Sequence, residues 1–247
     1  MLGVYNYTVI LTYFGMLISF TGIFFTTHGD LKNAMLCLMV SGVCDMFDGK
    51  IASTMVRTDQ EKRFGIQIDS LSDLICFGVL PAMIVCRVAF QNPWSFAISA
   101  AYVLCALIRL AWFNVDEEER QALTQQPRTV YYGLPVTSAA LLLPLLTGFS
   151  GLAKLPLSWT APALLAVMAV AFLTPFPLKK PALAGKIGML LCGIIMWLIG
   201  KRNIVELLLV SILVPLGMWL VFYKMLSVNI PMGVLQPLRD LVDMIHF

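Results

Sequence analysis

Residues 44–73, CDMFDGKIASTMVRTDQEKRFGIQIDSLSD, place a dense group of acidic side chains between two strongly apolar segments. The stretch holds five aspartates and one glutamate. Ionisable residues at a membrane are costly, and they usually serve a function. The stretch therefore indicates a fold built around an acidic site, where one membrane helix ends and the next begins.

The composition of the whole chain is typical of an integral membrane protein. Its 247 residues are 59% hydrophobic and 13% charged, with a mean hydropathy of +0.85. A soluble domain is about half apolar and about a quarter charged. The net charge is only +3 and no basic stripe is present, so nucleic-acid binding is not expected.

The hydropathy pattern predicts an all-α membrane protein with about eight transmembrane helices. A span needs roughly 20 apolar residues, and a helix satisfies the backbone hydrogen bonds in lipid. The seventh candidate is short, and it is either re-entrant or joined to the eighth. The candidate spans are 8–27, 32–53, 65–89, 95–114, 130–149, 159–175, 186–200 and 204–226.

The organisation predicted from this pattern is a single membrane-embedded domain over residues 1–247. Its catalytic half covers about 8–145, a helical bundle about 150–226, and an interfacial helix the tail 227–247. Eleven lysines and arginines fall in loops on the side of the acidic connection, and five fall on the other side. This bias predicts a multi-pass protein of the inner (cytoplasmic) membrane whose active site faces the cytoplasm. An endoplasmic-reticulum location stays open.

Four aspartates are spaced as two helical pairs. Asp45 and Asp48 are three residues apart at the end of the second span, and Asp69 and Asp73 are four apart at the start of the third. Each spacing puts both carboxylates on one helical face. Carboxylates that converge repel one another, and a bound divalent cation removes the repulsion. Ligands that offer only oxygen suit Mg²⁺, Mn²⁺ or Ca²⁺.

Small residues lie on or beside the acidic faces at Gly49, Ala52 and Gly65. They would let a bulky ligand approach the backbone, and a ligand with phosphates is the natural partner of a metal held by carboxylates. Helix capping and loop solvation are the alternative explanation of the acidic residues. That explanation suits Asp59 and Glu61, whereas four carboxylates at helical spacing favour a site.

The pattern resembles the signature of the CDP-alcohol phosphotransferases, D-x-x-D-G-x-x-A-R followed by G-x-x-x-D-x-x-x-D. Seven of its eight fixed positions match. Ser53 replaces the arginine, and the 11-residue spacer 54–64 is longer than usual in the family. Arg57, one helical turn after Ser53, is a candidate for the missing phosphate contact. The matching positions are Asp45, Asp48, Gly49, Ala52, Gly65, Asp69 and Asp73.

A narrower resemblance is to the phosphatidylserine synthase branch of that family. It rests on RTDQEKRFGIQIDSLSDLICFGVLP (57–81), IRLAWFNV (108–115) and YYGLPVT (131–137), and it covers roughly residues 8–145. The resemblance implies an enzyme that transfers the phosphatidyl group from CDP-diacylglycerol to L-serine, giving phosphatidylserine and CMP. It also implies a homodimer and two divalent ions, Mg²⁺ or Mn²⁺.

The resemblance implies a role for each matching residue. Asp45, Asp48 and Asp69 would bind metal, and Asp73 would complete a second metal site and act as the general base. The predicted CDP-diacylglycerol contacts are Asp48, Gly49, Ala52, Ser53, Arg57 and Gly65.

The serine carboxylate needs a cationic partner, and Arg109 is the one basic residue deep in a predicted span. We expect Arg109 or Arg128 to contact the serine carboxylate or the substrate phosphate, with Asn114 and Tyr131 or Tyr132 nearby. An ion pair that fixes the fourth span is the alternative role of Arg109.

Three other functions stay open. The same chemistry could use glycerol 3-phosphate or inositol as the acceptor. The aspartates could serve a divalent-cation transporter, although spans five to eight offer almost no polar residues for a pore. A structural scaffold is the third alternative, and the acidic cluster argues against it.

Overall fold

The computed structural model describes residues 3–123 and 130–179. This part of the chain is predominantly helical. Predicted spans 186–200 and 204–226 and the tail 227–247 lie outside it, so those predictions are untested. The helices are α1 Tyr7–Thr27, α2 Leu31–Ala52, α3 Asp59–Asp73, a π-helical segment Leu74–Val79, α4 Leu80–Val88, α5 Trp94–Leu123, a 3₁₀ turn Val136–Ser138, α6 Ala139–Ala153 and α7 Leu157–Leu173.

Three continuous helices in the described part are long and apolar enough to cross a membrane. They are Tyr7–Thr27, Asp59–Val88 and Trp94–Arg120, each with a mean hydropathy of 1.9 in its best window. Shorter apolar helices cover Val136–Gly151 and Leu157–Leu173. The α2 helix coincides with the predicted span 32–53 but is not among the three. The prediction of a multi-pass helical membrane protein is confirmed at this level.

The predicted span 130–149 does not begin as a helix. Val130–Tyr132 (β1) pairs antiparallel with Pro177–Lys179 (β2), and regular helix starts only at Ala139. Gly133 has a φ of +79°, and a Cβ there would lie 2.9 Å from the carbonyl oxygen of Thr174. This left-handed conformation favours glycine and ends the strand before the chain enters α6. The hydropathy pattern alone did not reveal this two-stranded ribbon.

The apolar core gathers side chains from several helices around Tyr102 of α5. Tyr102, Phe77 and Phe172 are fully buried, and the rings of Tyr102 and Phe172 have centroids 5.4 Å apart. The Tyr102 hydroxyl donates a 2.6 Å hydrogen bond to the carbonyl of Phe77. Pro81 follows Phe77 by four residues and has no N–H to donate to that carbonyl. The Tyr102 hydroxyl therefore donates to a carbonyl to which Pro81 cannot donate.

The N-terminus of α1 is tied to the loop between α2 and α3. Asn6 caps α1 with its side-chain oxygen, and its amide donates to Glu61 Oε1 at 3.2 Å. The Tyr7 hydroxyl lies 3.1 Å from the Thr54 hydroxyl. Thr58 and Glu61 form a capping box that starts α3. These contacts fix α1 against the connection that joins the two acidic helices.

Candidate active site

Three motif aspartates meet where α2 and α3 approach each other. Asp45 and Asp48 lie in the last turns of α2, and Asp69 lies near the end of α3. One carboxylate oxygen from each lies within 4.8 Å of the others. The structure thus brings together three of the four aspartates that the spacing pairs on helical faces.

Asp73 lies on the same pocket but outside that group of three. It is the last residue of α3, and the π-helical segment starts directly after it. A π-helical turn interrupts the regular α-helical hydrogen bonding, and such turns are frequent at functional sites. We call this pocket the acidic pocket; its lining is Asp45, Asp48, Asp69 and Asp73 with Leu11, Thr12, Gly15, Ser41, Cys44, Ser72, Cys76 and Phe77.

The charge of the acidic pocket favours a cation. Four carboxyl groups line it, and no lysine or arginine is among the described residues of its lining. Like charges at this separation repel, so a positive charge between them is stabilising. The converging donors are carboxylate oxygens, which suit Mg²⁺, Mn²⁺ or Ca²⁺ rather than a soft metal. The residues present therefore fit a divalent metal.

One side chain of the acidic pocket comes from α1, outside the motif. The Thr12 hydroxyl donates to Asp48 Oδ2 at 3.3 Å, and the Thr12 carbonyl accepts from the Ser72 hydroxyl at 3.4 Å. Thr12 was not among the site residues predicted from the sequence. A usable signal was present, since the buried face of α1 is a stripe of small and polar residues at helical spacing, namely Thr8, Thr12, Gly15, Ser19, Gly22 and Thr26.

The glycines of the motif leave room beside the acidic pocket. A Cβ on Gly49 would meet no atom within 4 Å, and a Cβ on Gly65 would meet only Nη1 of Arg57, at 3.2 Å. Ser53 caps α2, and its hydroxyl donates to the carbonyl of Lys50 at 2.7 Å. The guanidinium of Arg57 therefore lies beside a motif glycine, whereas the Ser53 hydroxyl is engaged at a helix end.

Among the residues predicted to contact serine, Asn114 is placed close to α3. Its Oδ1 accepts a 2.7 Å hydrogen bond from the hydroxyl of Ser70, which follows Asp69. Arg109 precedes Asn114 by five residues, about 140° around the α5 helix. It does not line the acidic pocket. The structure thus places Asn114 beside the acidic helix, although Asn114, like Arg109, is outside the lining of the acidic pocket.

Three further predicted contacts are not tested. Arg128 and the side chain of Tyr131 are outside the part of the chain that the structure describes. Tyr132 lies in β1 with an exposed side chain. Their roles stay predictions.

Comparison with known proteins supports the sequence resemblance. A sequence model of the family "CDP-alcohol phosphatidyltransferase" matches residues 5–174. The CDP-diacylglycerol–serine O-phosphatidyltransferase of Saccharomyces cerevisiae is 38% identical over 105 residues, which is 41% of this chain and 37% of that protein. The enzyme of the same name from Helicobacter pylori is 33% identical over 125 residues, 49% of this chain and 48% of that protein.

An archaeal relative extends the set. The archaetidylserine synthase of Methanothermobacter thermautotrophicus is 32% identical over 133 residues, 53% of each chain. The matched part thus spans about half or less of these relatives' own lengths. The predicted resemblance to the serine-using branch is confirmed by these names. Because the family model matches more than half of the 247 residues, the chain belongs to the CDP-alcohol phosphatidyltransferase family.

Proposed function

We propose that the chain transfers the phosphatidyl group of CDP-diacylglycerol to the hydroxyl of L-serine, forming phosphatidylserine and CMP. The observation that carries the proposal is the meeting of Asp45, Asp48 and Asp69 within 4.8 Å beside the open space at Gly49. The names of the relatives support serine as the acceptor.

The metal ligands are proposed from the same geometry. Asp45, Asp48 and Asp69 would hold Mg²⁺ or Mn²⁺, and Asp73 on the same pocket would complete a second site. When bound, the ions neutralise the diphosphate and stabilise the charge that develops in the transition state.

The nucleotide half of the donor would lie along the motif glycines. Gly49 and Gly65 leave the backbone accessible, and Ala52 adds little bulk beside them. The Arg57 guanidinium beside Gly65 would donate to a phosphate oxygen, in place of the arginine that Ser53 replaces. A planar guanidinium suits this role because it donates two parallel hydrogen bonds to one phosphate.

The proton transfer is assigned to Asp73. Its carboxylate would accept the proton of the serine hydroxyl, and the serine oxygen would form a bond to the β-phosphorus, which bears diacylglycerol. The bond from that phosphorus to the bridging oxygen would break, and CMP would leave with that oxygen. The position of Asp73 on the pocket, outside the group of three, supports a proton-accepting role in addition to its proposed part in the second metal site.

The acceptor contact is assigned to Asn114. Its Oδ1 accepts the Ser70 hydroxyl, and its amide N–H groups would donate to the acceptor. An N–H donor suits a carboxylate, which L-serine carries and inositol lacks. Arg109 and Arg128 remain candidates for the cation that the carboxylate needs.

The membrane arrangement is proposed from the sequence. The bias of basic residues supports a site on the cytoplasmic face of the inner membrane, reached by about eight spans. The family resemblance supports a homodimer. Topology can be read by labelling single cysteines introduced into the loops of a variant without native cysteines.

The first experiment measures CMP release by the purified chain in detergent with CDP-diacylglycerol, Mn²⁺ and one acceptor at a time. L-Serine, glycerol 3-phosphate and inositol are compared. Asp73→Asn tests the base. Asp59→Asn is the matched control, because Asp59 lies at the other end of α3 with its side chain 94% exposed.

The expected result is serine-dependent CMP release that is lost in Asp73→Asn and kept in Asp59→Asn. Release with another acceptor alone would keep the phosphotransfer chemistry and overturn serine. No release with any acceptor, while Mn²⁺ still binds, would overturn the transferase proposal and favour the cation transporter.

A further inference from the structure

Threonines in the apolar helices usually bond to their own helix. The hydroxyls of Thr21 and Thr26 in α1 donate to the carbonyls four residues earlier, at 2.9 and 2.8 Å. Thr147 in α6 makes the same bond at 2.8 Å. The backbone carbonyl four residues earlier lies within reach of the hydroxyl, so this bond is the usual one for a threonine in a helix.

Thr12 departs from this pattern. Its hydroxyl donates across the helix interface to Asp48 Oδ2 at 3.3 Å. Both residues are buried, with 8% of Thr12 and 9% of Asp48 exposed. The same threonine accepts the Ser72 hydroxyl at its backbone carbonyl, 3.4 Å away. One residue of α1 thus contacts α2 at a motif aspartate and α3 at the residue before Asp73.

We infer that Thr12 is a positioning residue that orients the Asp48 carboxylate toward the cation of the acidic pocket. The inference rests on the metal site of the proposed function. A carboxylate rotates readily about its last torsion, and a hydrogen bond to one oxygen limits that rotation. A residue that hydrogen-bonds to a metal ligand, without binding the metal itself, fixes the orientation of that ligand and raises the affinity for the metal.

The neutrality of the hydroxyl matters for this role. A lysine or arginine in place of Thr12 would also hold Asp48, but its charge would oppose the binding of a cation nearby. A hydroxyl donates one hydrogen bond and leaves the negative charge of the pocket intact. A threonine thus orients the ligand without competing with the metal.

The position of Thr12 is itself fixed. The Asn6–Glu61 and Tyr7–Thr54 contacts hold the start of α1 against the α2–α3 loop. One turn beyond Thr12, a Cβ on Gly15 would lie 3.2 Å from the Cβ of Cys44, so α1 and α2 approach closely there. These contacts set the register of α1 on both sides of the hydroxyl.

The test measures Mn²⁺ affinity of the full chain in detergent, from the electron paramagnetic resonance signal of free Mn²⁺. Thr12→Val removes the hydroxyl at nearly constant volume, and Thr12→Ser keeps it. Thr26→Val is the matched control, because Thr26 is buried on the same helix and its hydroxyl donates to the Gly22 carbonyl of that helix. Thermal unfolding with a chelator checks that all variants are folded.

We expect Thr12→Val to bind Mn²⁺ about 10-fold to 100-fold more weakly than the wild type. Thr12→Ser should recover most of that affinity, and Thr26→Val should match the wild type. Serine-dependent CMP release by Thr12→Val should rise with added Mn²⁺, because the loss lies in binding.

Equal Mn²⁺ affinity in Thr12→Val and wild type would overturn the inference, and so would an equal loss in Thr26→Val. A wild type that binds no Mn²⁺ would overturn both this inference and the proposed metal site. Weakened Mn²⁺ binding in Thr12→Val, together with a wild type that releases CMP with another acceptor but not with serine, would support the inference and overturn only the proposed acceptor.

Discussion

Two regions of the Asp59–Val88 helix, one at Asp69 and Asp73 and the other at Phe77, differ in how their polar groups are paired. At Asp69 and Asp73 the helix joins other carboxylates in the acidic pocket, with no lysine or arginine in the described lining. The backbone carbonyl of Phe77 accepts a 2.6 Å hydrogen bond from the Tyr102 hydroxyl. The first region keeps like charges together, and the second pairs a polar group inside the apolar core.

The difference separates function from stability. Like charges in one pocket do not stabilise the fold unless a cation binds between them. The acidic pocket is therefore maintained for binding. A paired carbonyl in the core lowers the cost of burying the backbone. Substitutions in the acidic pocket should therefore remove function and spare the fold, and substitutions around Tyr102 should do the reverse.

The largest effect is expected for Asp48→Asn. CMP release should fall about 100-fold or more, because losing a direct metal ligand should cost at least as much activity as losing a residue that hydrogen-bonds to that ligand. Thermal stability in a chelator should stay equal or rise, because the change removes one of several facing negative charges. Parallel CMP-release and unfolding measurements check this. A matching loss of stability and activity would contradict the separation.

Tyr102→Phe should act in the opposite sense. It leaves the Phe77 carbonyl without its hydroxyl donor and should cost about 1–3 kcal/mol of unfolding free energy. The KM for serine should not change. Chemical unfolding in detergent measures the loss, and Tyr132→Phe is the control because Tyr132 is 58% exposed. Equal effects in both variants would show that the bond to Phe77 is not stabilising.

Two glycines of α2 sharpen the comparison. A Cβ on Gly42 would lie 2.6 Å from the Cβ of Ala140. Gly42→Ala should therefore force α2 away from α6 and cost about 1–2 kcal/mol of unfolding free energy.

A Cβ on Gly49 would meet no atom within 4 Å, so Gly49→Ala should stabilise the helix by up to about 1 kcal/mol. The same change should lower CMP release by filling the proposed nucleotide site. Undiminished release in Gly49→Ala would move that site elsewhere.

Ser70→Ala should have the smallest effect. Without its hydroxyl the Asn114 amide is no longer held, and the KM for serine should rise about threefold to tenfold. Mn²⁺ affinity should not change. Ser95→Ala is the control, because the buried Ser95 hydroxyl bonds to the Asn92 carbonyl at the other end of α5. A raised KM for CDP-diacylglycerol instead would assign Ser70 to the donor.

The fold was predictable where a continuous apolar run has the length of a membrane-spanning helix. The bounds of α1, α2 and α7 lie within two residues of the predicted spans 8–27, 32–53 and 159–175. The helix expected from residue 130 starts at 139 instead, after a strand and a 3₁₀ turn. The apolar residues of β1 are compatible with helix or strand, and the backbone at Gly133 determines the outcome.

The sequence by itself determined that four aspartates lie at helical spacing, that small residues accompany them, and that the helix carrying Asp69 and Asp73 is apolar enough for a membrane. These are local properties, fixed by the rise and turn of one helix. The tertiary structure decided which side chains surround the aspartates. Contacts such as Thr12 with Asp48, Arg57 beside Gly65, and Ser70 with Asn114 join positions distant in sequence or separated by a loop, and only the packing of helices sets them.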